Sequence, residues 1–236
     1  MKETEAPEIL KDLGPLNGLP GDARFLPCIG KGPIYKDWMT DRSTWLTAEQ
    51  VLKERNIGST NTTGTGLMTG SKVGRLCWLD FDGEEIDEET GIVRRSASLD
   101  LETVCGISAE QLKKDYPTVI SISGRPGRFR ALYKIPQYTG TDLDGFSLIK
   151  LGPTKSLDFL YEKSGGKQFH AVVEGDHPDG NGWYYRWEEG FSPTEIEIAD
   201  LPFKIIYGLI RARTTKACKS LASNQTVEKN SDEPTP

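Results

Sequence analysis

Short apolar runs, many alternating with polar positions, fill the middle of this 236-residue chain, and glycine, proline, asparagine and aspartate punctuate them. That rhythm predicts a strand-rich centre with helices at its edges. Residues 1–22 are polar and rich in glycine and proline and read as an extended arm. Residues 23–38 (ARFLPCIGKGPIYKDW) read as a short strand and a loop. Ser43 or Thr47 is placed to cap a helix through WLTAEQVLKERN, in which Ala48, Val51 and Leu52 form an apolar stripe. A strand is expected over 66–69 and another follows at once on Cys77-Trp78-Leu79, so a hairpin around 71–74 is expected. Further along, 101–114 reads as a helix, and 118–123 and 130–135 as strands joined by Gly-Arg-Pro-Gly-Arg. Strands are expected over 156–161, 169–173 and 183–187, with turns at Gly165-Gly166 and Asp179-Gly180-Asn181-Gly182. Helices are expected over 194–200, behind Ser192-Pro193, and over 201–220. The tail 222–236 is too polar to offset its ordering entropy and reads as disordered. One α+β domain over 23–221, between arm and tail, accounts for the pattern.

Composition narrows the function classes. No segment approaches the roughly 20 apolar residues of a membrane span, and MKETEAPEILKDLG lacks the basic-then-apolar order of a secretion signal, so a cytoplasmic location is expected. Cys28, Cys77, Cys105 and Cys218 are far apart, without CxxC spacing or clustered histidines, which argues against a disulfide framework and the usual zinc site. The net charge of -6 does not advertise a nucleic-acid binder. Its distribution still allows a basic cleft. Arg125, Arg128, Arg130 and Lys134 crowd one segment, Lys204, Arg211, Arg213, Lys216 and Lys219 load the C-terminal region, and Glu84 to Glu89 read as solvated acid.

Leu79-Asp80-Phe81-Asp82-Gly83 is the sharpest chemical signal. On an extended strand Asp80 and Asp82 share a face, near enough to grip one divalent cation. The other reading is a solvent-facing pair before a glycine turn. The turn from Ser123 to Arg130 is a candidate phosphate cradle, because glycines let backbone N–H groups approach oxygens and arginines neutralise charge bidentately; a solvated hairpin tip is the alternative.

Taken in order, five motifs resemble the primase-polymerase domain of the archaeo-eukaryotic primase superfamily. They are Gly66-Leu67-Met68-Thr69-Gly70; Trp78-Leu79-Asp80-Phe81-Asp82-Gly83; Pro117-Thr118-Val119 leading to Ser123-Gly124-Arg125-Pro126-Gly127-Arg128; Leu157-Asp158-Phe159; and His177-Pro178-Asp179-Gly180 with Tyr185-Arg186-Trp187. The likeness is to the bifunctional DNA primase/polymerase amino-terminal domains of plasmids, phages and cyanobacteria, and it covers about residues 23–205. It implies a prim-pol fold: a mixed or antiparallel, RRM-like catalytic sheet flanked by helices, with a small N-terminal αβ module. It also implies two Mg²⁺ or Mn²⁺ ions on Asp80, Asp82 and Asp158, and nucleotide contacts from Ser123, Gly124, Arg125, Arg128, Arg130 and His177. Lys31, Trp183, Tyr185 and Arg186 become candidates for contact with a single-stranded DNA template, and of Trp183, Tyr184, Tyr185 and Trp187 two are expected to be buried. The implied substrates are nucleoside triphosphates, and the implied companion is a replicative helicase, in the same or a separate chain.

One departure stands out. The family carries a histidine in its second motif, where this chain offers Arg128 or Arg130; its only histidines are His170 and His177. Two other functions remain open. A replication-initiator or nucleic-acid-binding module that kept the fold and lost the chemistry is favoured by that missing histidine. A haloacid-dehalogenase-like phosphatase also begins on an apolar strand ending in DxDG, but it expects Thr or Val where Glu84 stands.

Overall fold

A computed structural model describes residues 13–56, 62–137 and 147–214. The disordered tail expected over 222–236 and residues 1–12 of the arm lie outside the described residues. The strands are β1 (Phe25–Ile29), β2 (Gly32–Pro33), β3 (Gly64–Thr69), β4 (Leu76–Phe81), β5 (Glu84–Ile86), β6 (Val93–Ser96), β7 (Val119–Ile122), β8 (Phe129–Lys134), β9 (Leu148–Leu151), β10 (Leu157–Leu160), β11 (Glu162–Lys163), β12 (Lys167–Asp176) and β13 (Tyr184–Trp187). The helices are α1 (Ala48–Asn56), α2 (Ala97–Cys105), α3 (Ala109–Asp115) and α4 (203–214). The chain is an α+β protein built on one large antiparallel sheet of 11 strands, curled into a half-barrel, in the order β2-β1-β3-β12-β13-β7-β8-β4-β10-β9 with β11 beside β12. β5 and β6 form a separate exposed hairpin, so the acid-rich segment read as plain surface carries a strand.

Alternation assigns the two faces of β4, β8 and β10. Their odd positions, Cys77, Leu79, Phe81, Ala131, Tyr133, Leu157 and Phe159, pack beneath α2, α3 and α4 through Leu101, Val104, Leu112, Ile205, Ile206 and Leu209. Their even positions turn into the half-barrel, where Trp78 and Leu132 meet Phe25, Leu67, Ala171, Val173, Trp187 and Val51 of α1.

Four expectations are corrected. β3 and β4 do not form a hairpin: they share one bridge, Gly70 to Leu76, and then diverge to distant places in the sheet. Leu67, Leu76 and Trp78 instead meet in the interior, so the two strands face each other across the core. The helix expected over 101–114 is two helices. Gly106 takes a left-handed φ of 70° that ends α2, and Ser108 with Gln111 forms a capping box that starts α3. The helix expected over 194–200 is an extended segment after a turn, because Ile196 and Ile198 alternate with Glu195 and Glu197 and Ile198 packs into the interior. Finally, residues 13–22 are docked. Leu16 is buried, Trp187 Nε1 donates to the Pro15 carbonyl at 2.6 Å, and a Cβ on Gly18 would meet the Pro193 oxygen at 2.0 Å.

Cys28, Cys77 and Cys105 are buried free thiols; burial pushes Cys28 and Cys105 up to about 12, which leaves them inert. Cys218 lies outside the described residues. Among the described residues no helix is long and apolar enough to cross a membrane.

Candidate functional site at the rim of the half-barrel

Register sets the site. Trp78 pairs with Leu132 on one side and Leu160 on the other, an apolar row across β8, β4 and β10. Two residues along the same face, Asp80 pairs with Arg130 on β8 and with Asp158 on β10, and Arg130 pairs in turn with Ser121 on β7. The interior therefore ends in the charged row Ser121–Arg130–Asp80–Asp158. Arg130 Nε donates to Asp80 Oδ2 at 3.1 Å, and its Nη1 donates to the Val172 carbonyl at 3.1 Å. The Arg130 guanidinium also lies over the Tyr185 ring, 5.5 Å from its centroid.

Asp82 comes just past β4, where its N–H donates to the Ser156 carbonyl at 2.9 Å. Lys150 Nζ reaches Asp82 Oδ2 at 2.9 Å and Arg128 Nη1 lies 3.6 Å from Asp82 Oδ1. The Lys150 N–H donates to Asp158 Oδ1 at 2.5 Å. These contacts split the two carboxylates. Burial pushes Asp82 up, but the Lys150 hydrogen bond and the charges of Lys150, Arg128 and Arg130 outweigh it and hold Asp82 below the usual carboxylate range. Burial raises Asp158, and the charges of Asp80 and Asp82 add to it against the Lys150 contacts. The three aspartates thus feel one another. Among the described residues, however, no three His, Cys, Asp or Glu side chains are gathered closely enough to hold a metal ion.

Asp80 and Asp82 line a narrow hollow of about 30 Å³ together with Lys31, Ser121, Ser123, Arg128, Arg130, His177 and Tyr185. It adjoins a hollow of about 230 Å³ that shares Asp82 and Arg128, and one of about 120 Å³ that shares Lys31, Asp80, Arg130 and Tyr185. Ser121 Oγ and Ser123 Oγ, both on the narrow hollow, are buried without a hydrogen-bond partner among the described residues. Orphaned hydroxyls beside two arginines suit an anion that accepts hydrogen bonds.

The basic turn divides. Ser123, Arg128 and Arg130 face the aspartates, whereas Arg125 binds Asp179 Oδ2 at 3.1 Å, covers the Trp183 ring at 4.8 Å and lines the larger hollow with it. Gly124 holds φ 76° with Trp183 and Tyr184 backbone against it, so it shapes the turn and lines none of the three hollows. His177 is buried. Its Nδ1 accepts the Asp179 N–H at 3.2 Å and its ring packs on Tyr185, so it staples the Asp179 turn and also lines the hollow. Burial, then the Lys31 charge, lowers its pKa.

The template candidates separate as well. Tyr185 and Trp187 are the two buried aromatics of the four, and Tyr185 forms a wall of the narrow hollow. Arg186 alternates with Tyr185 on β13, exposed on the opposite face, away from the aspartates. Lys204 and Arg211 donate to the Gly106 and Val104 carbonyls at 2.9 and 3.3 Å, capping α2, where cations complement the helix dipole.

Sequence reasoning missed Lys150, Ser121 and Asp100. Asp100, fully buried on α2, accepts from Thr154 N at 2.7 Å, Thr154 Oγ1 at 2.8 Å and Ser156 N at 2.6 Å. It thereby fixes the loop whose Ser156 carbonyl receives Asp82. Ser121 had a signal, since it shares strand parity with Ser123; Lys150 had none, because its partners depend on the irregular register of β9 against β10.

Fold and cluster together define the class: an α+β protein whose curled antiparallel sheet carries carboxylates, arginines and orphaned hydroxyls at one rim. A scan against known protein families finds none that matches the chain, and a search of curated proteins finds no match either.

Proposed function

We propose that this chain is a primase-polymerase: a template-dependent nucleotidyltransferase that joins nucleotides along single-stranded DNA, on a prim-pol fold with an RRM-like sheet and a small N-terminal αβ module. The observation that carries the reading is the register that aligns Arg130, Asp80 and Asp158 on three neighbouring strands with Asp82 beside them. The donors are of the kind a divalent cation takes, carboxylate oxygens, and register sets Asp80 beside Asp158 with Asp82 two residues on. Asp80, Asp82 and Asp158 are the residues that would hold Mg²⁺ or Mn²⁺, which would supply Lewis acidity toward the 3′-hydroxyl and the triphosphate. The chain's own groups do the rest. Arg128 and Arg130 neutralise phosphate oxygens, Ser121 and Ser123 donate their unpartnered hydroxyls, and Lys31 adds charge at the edge of the hollow.

An aspartyl-phosphate mechanism, as in the phosphatase reading, needs a carboxylate ready to attack, and Asp80 is already engaged by Arg130. A nucleic-acid-binding module without catalysis stays as a second reading because Arg130, Arg128 and Lys150 already engage Asp80 and Asp82.

The experiment incubates the chain with single-stranded DNA, labelled nucleotides and Mg²⁺ or Mn²⁺, with and without a primer, beside Asp82→Asn. Primer-free products mean priming and primer-dependent products mean extension. Tight DNA binding without products in any metal transfers the chain to the second reading. Full activity in Asp82→Asn sinks the assignment.

A further inference from the structure

The two hollows that share Asp82 and Arg128 differ in kind. The narrow one sets three cations, Lys31, Arg128 and Arg130, against two carboxylates, and adds the orphaned Ser121 and Ser123 hydroxyls. The larger one, of about 230 Å³, sets Arg95, Arg125 and Arg128 against Asp82, Glu84 and Glu85, so its charges balance. No buried, unpartnered polar atom of the described residues lines it. A phosphate therefore gains little by entering it. What this hollow offers instead is flat surface. Trp183, Pro126 and Arg125 line it together, and the Arg125 guanidinium lies over the Trp183 ring, 4.8 Å from the centroid. Asp179 Oδ2 holds the same guanidinium at 3.1 Å. The turn beneath is packed as well: a Cβ on Gly124 would stand 3.3 Å from the Trp183 Cα.

We infer that the larger hollow seats the base of a nucleotide whose phosphates lie in the narrow one, and that Arg125 serves there as a stacking plane backed by Trp183. The inference rests on the primase-polymerase reading and deepens it. The resemblance counts Arg125 among the nucleotide contacts without separating charge from shape; in this fold its charge is met by Asp179, and its plane is what remains to offer. A guanidinium has two faces and stacks on bases as it does on aromatic rings. Trp183 takes one face of Arg125, whose side chain keeps 27 % exposure where it lines the hollow. A nucleotide joins a charged end to a flat one. The two hollows present matching surfaces side by side, with Arg128 and Asp82 lining both.

The test separates the base from the phosphates. ATP and inorganic tripolyphosphate are each titrated into the full chain by isothermal titration calorimetry, without DNA and at the same Mg²⁺ concentration, so that any ion contributes to both alike. Wild type should bind ATP about tenfold more tightly than tripolyphosphate, the gain expected of one stacked base. Arg125→Lys keeps the charge and removes the plane, so it should lose that tenfold and bind tripolyphosphate as wild type does. Trp183→Leu should behave in the same way, and Trp183→Phe, which keeps a ring, should retain most of the gain. Unchanged tripolyphosphate binding in these variants also shows that they fold. Arg128→Met should weaken both ligands. Equal wild-type affinities overturn the inference, as does an Arg125→Lys that binds ATP like wild type or weakens both ligands alike; each leaves the primase-polymerase reading to be decided by nucleotide incorporation. Binding of neither ligand by wild type overturns the inference together with the phosphate cradle on which that reading draws.

Discussion

Removing Asp80 tests whether the Arg130 pair is structural as well as chemical. Asp80→Ala leaves the Arg130 guanidinium, on a side chain only 18 % exposed, without its counter-charge, while the Asp80 side chain it loses is 20 % exposed. Breaking a fully buried pair by deleting one partner costs about 3–5 kcal/mol, and a surface pair contributes about 0–1 kcal/mol. One-fifth exposure places this pair nearer the buried limit. Two terms oppose the loss: Arg130 keeps the Val172 carbonyl and the Tyr185 ring, and Asp158 is relieved of a neighbouring negative charge. A net loss of about 2 kcal/mol follows, and for a domain of this size that lowers Tm by roughly 4–8 °C. Asp82→Ala breaks a pair with Lys150, whose side chain is 51 % exposed, so it should cost less than about 1 kcal/mol. The assay is thermal unfolding of wild type, Asp80→Ala, Asp82→Ala, Arg130→Met and the Asp80→Ala/Arg130→Met double variant. The double variant should lose less than the sum of its parts. A Tm for Asp80→Ala within 1 °C of wild type, or below it by no more than Asp82→Ala loses, refutes the reasoning. The same ordering makes Asp82→Asn the cleaner catalytic knock-out.

Asp100→Ala orphans the N–H groups of Thr154 and Ser156 around a fully buried position, and urea denaturation should show a loss of about 3–5 kcal/mol; a loss below about 1 kcal/mol means the loop holds itself. His170 donates Nε2–H to the Lys31 carbonyl at 2.9 Å, and burial lowers its pKa to about 4 from the ordinary 6.5. The unfolded chain therefore takes this proton first as the pH falls, so the stabilising term is complete above pH 6.5 and drains away down to about pH 4, by at most about 3 kcal/mol and less where solvent screens the ring. Over that range His170→Gln should lose stability less steeply than wild type, and parallel curves would remove His170 as the cause. His177→Ala should raise the nucleotide KM, since the ring lines the hollow; an unchanged KM takes it out of the site.

Local pattern made most of the sheet legible, because strand faces follow parity alone: Cys77, Leu79 and Phe81 face one way and Trp78 and Asp80 the other. It made pairing illegible. The adjacency of β3 and β4 in sequence suggested a hairpin, but both strands are buried on both faces, and what each buries against is a long-range fact. The break at Gly106 was visible as Gly followed by Ser-x-x-Gln, and was passed over because Leu101 to Lys114 reads as one amphipathic stretch. The site divides likewise. Asp80, Asp82 and the arginine turn announce themselves, whereas Lys150 and Asp100 act through loops whose partners lie 68 and 54 residues away.

The two rows across β8, β4 and β10 explain why this rim suits charge. A step of two residues, about 7 Å along a strand, separates Trp78 and its apolar partners from Asp80 and Arg130. The pair thus borrows the low dielectric of the interior while remaining open to the hollow. A histidine beside Asp80 would lose much of its charge in such a place above its pKa; Arg130 does not, because a guanidinium stays protonated. The positive charge of Arg130 is then independent of pH across the neutral range, and Lys150, anchored on the edge strand, brings a second cation to Asp82. A one-residue slip of β8 against β4 would turn Arg130 beneath the helices and leave Asp80 alone, so the same register that closes the interior also assembles the site.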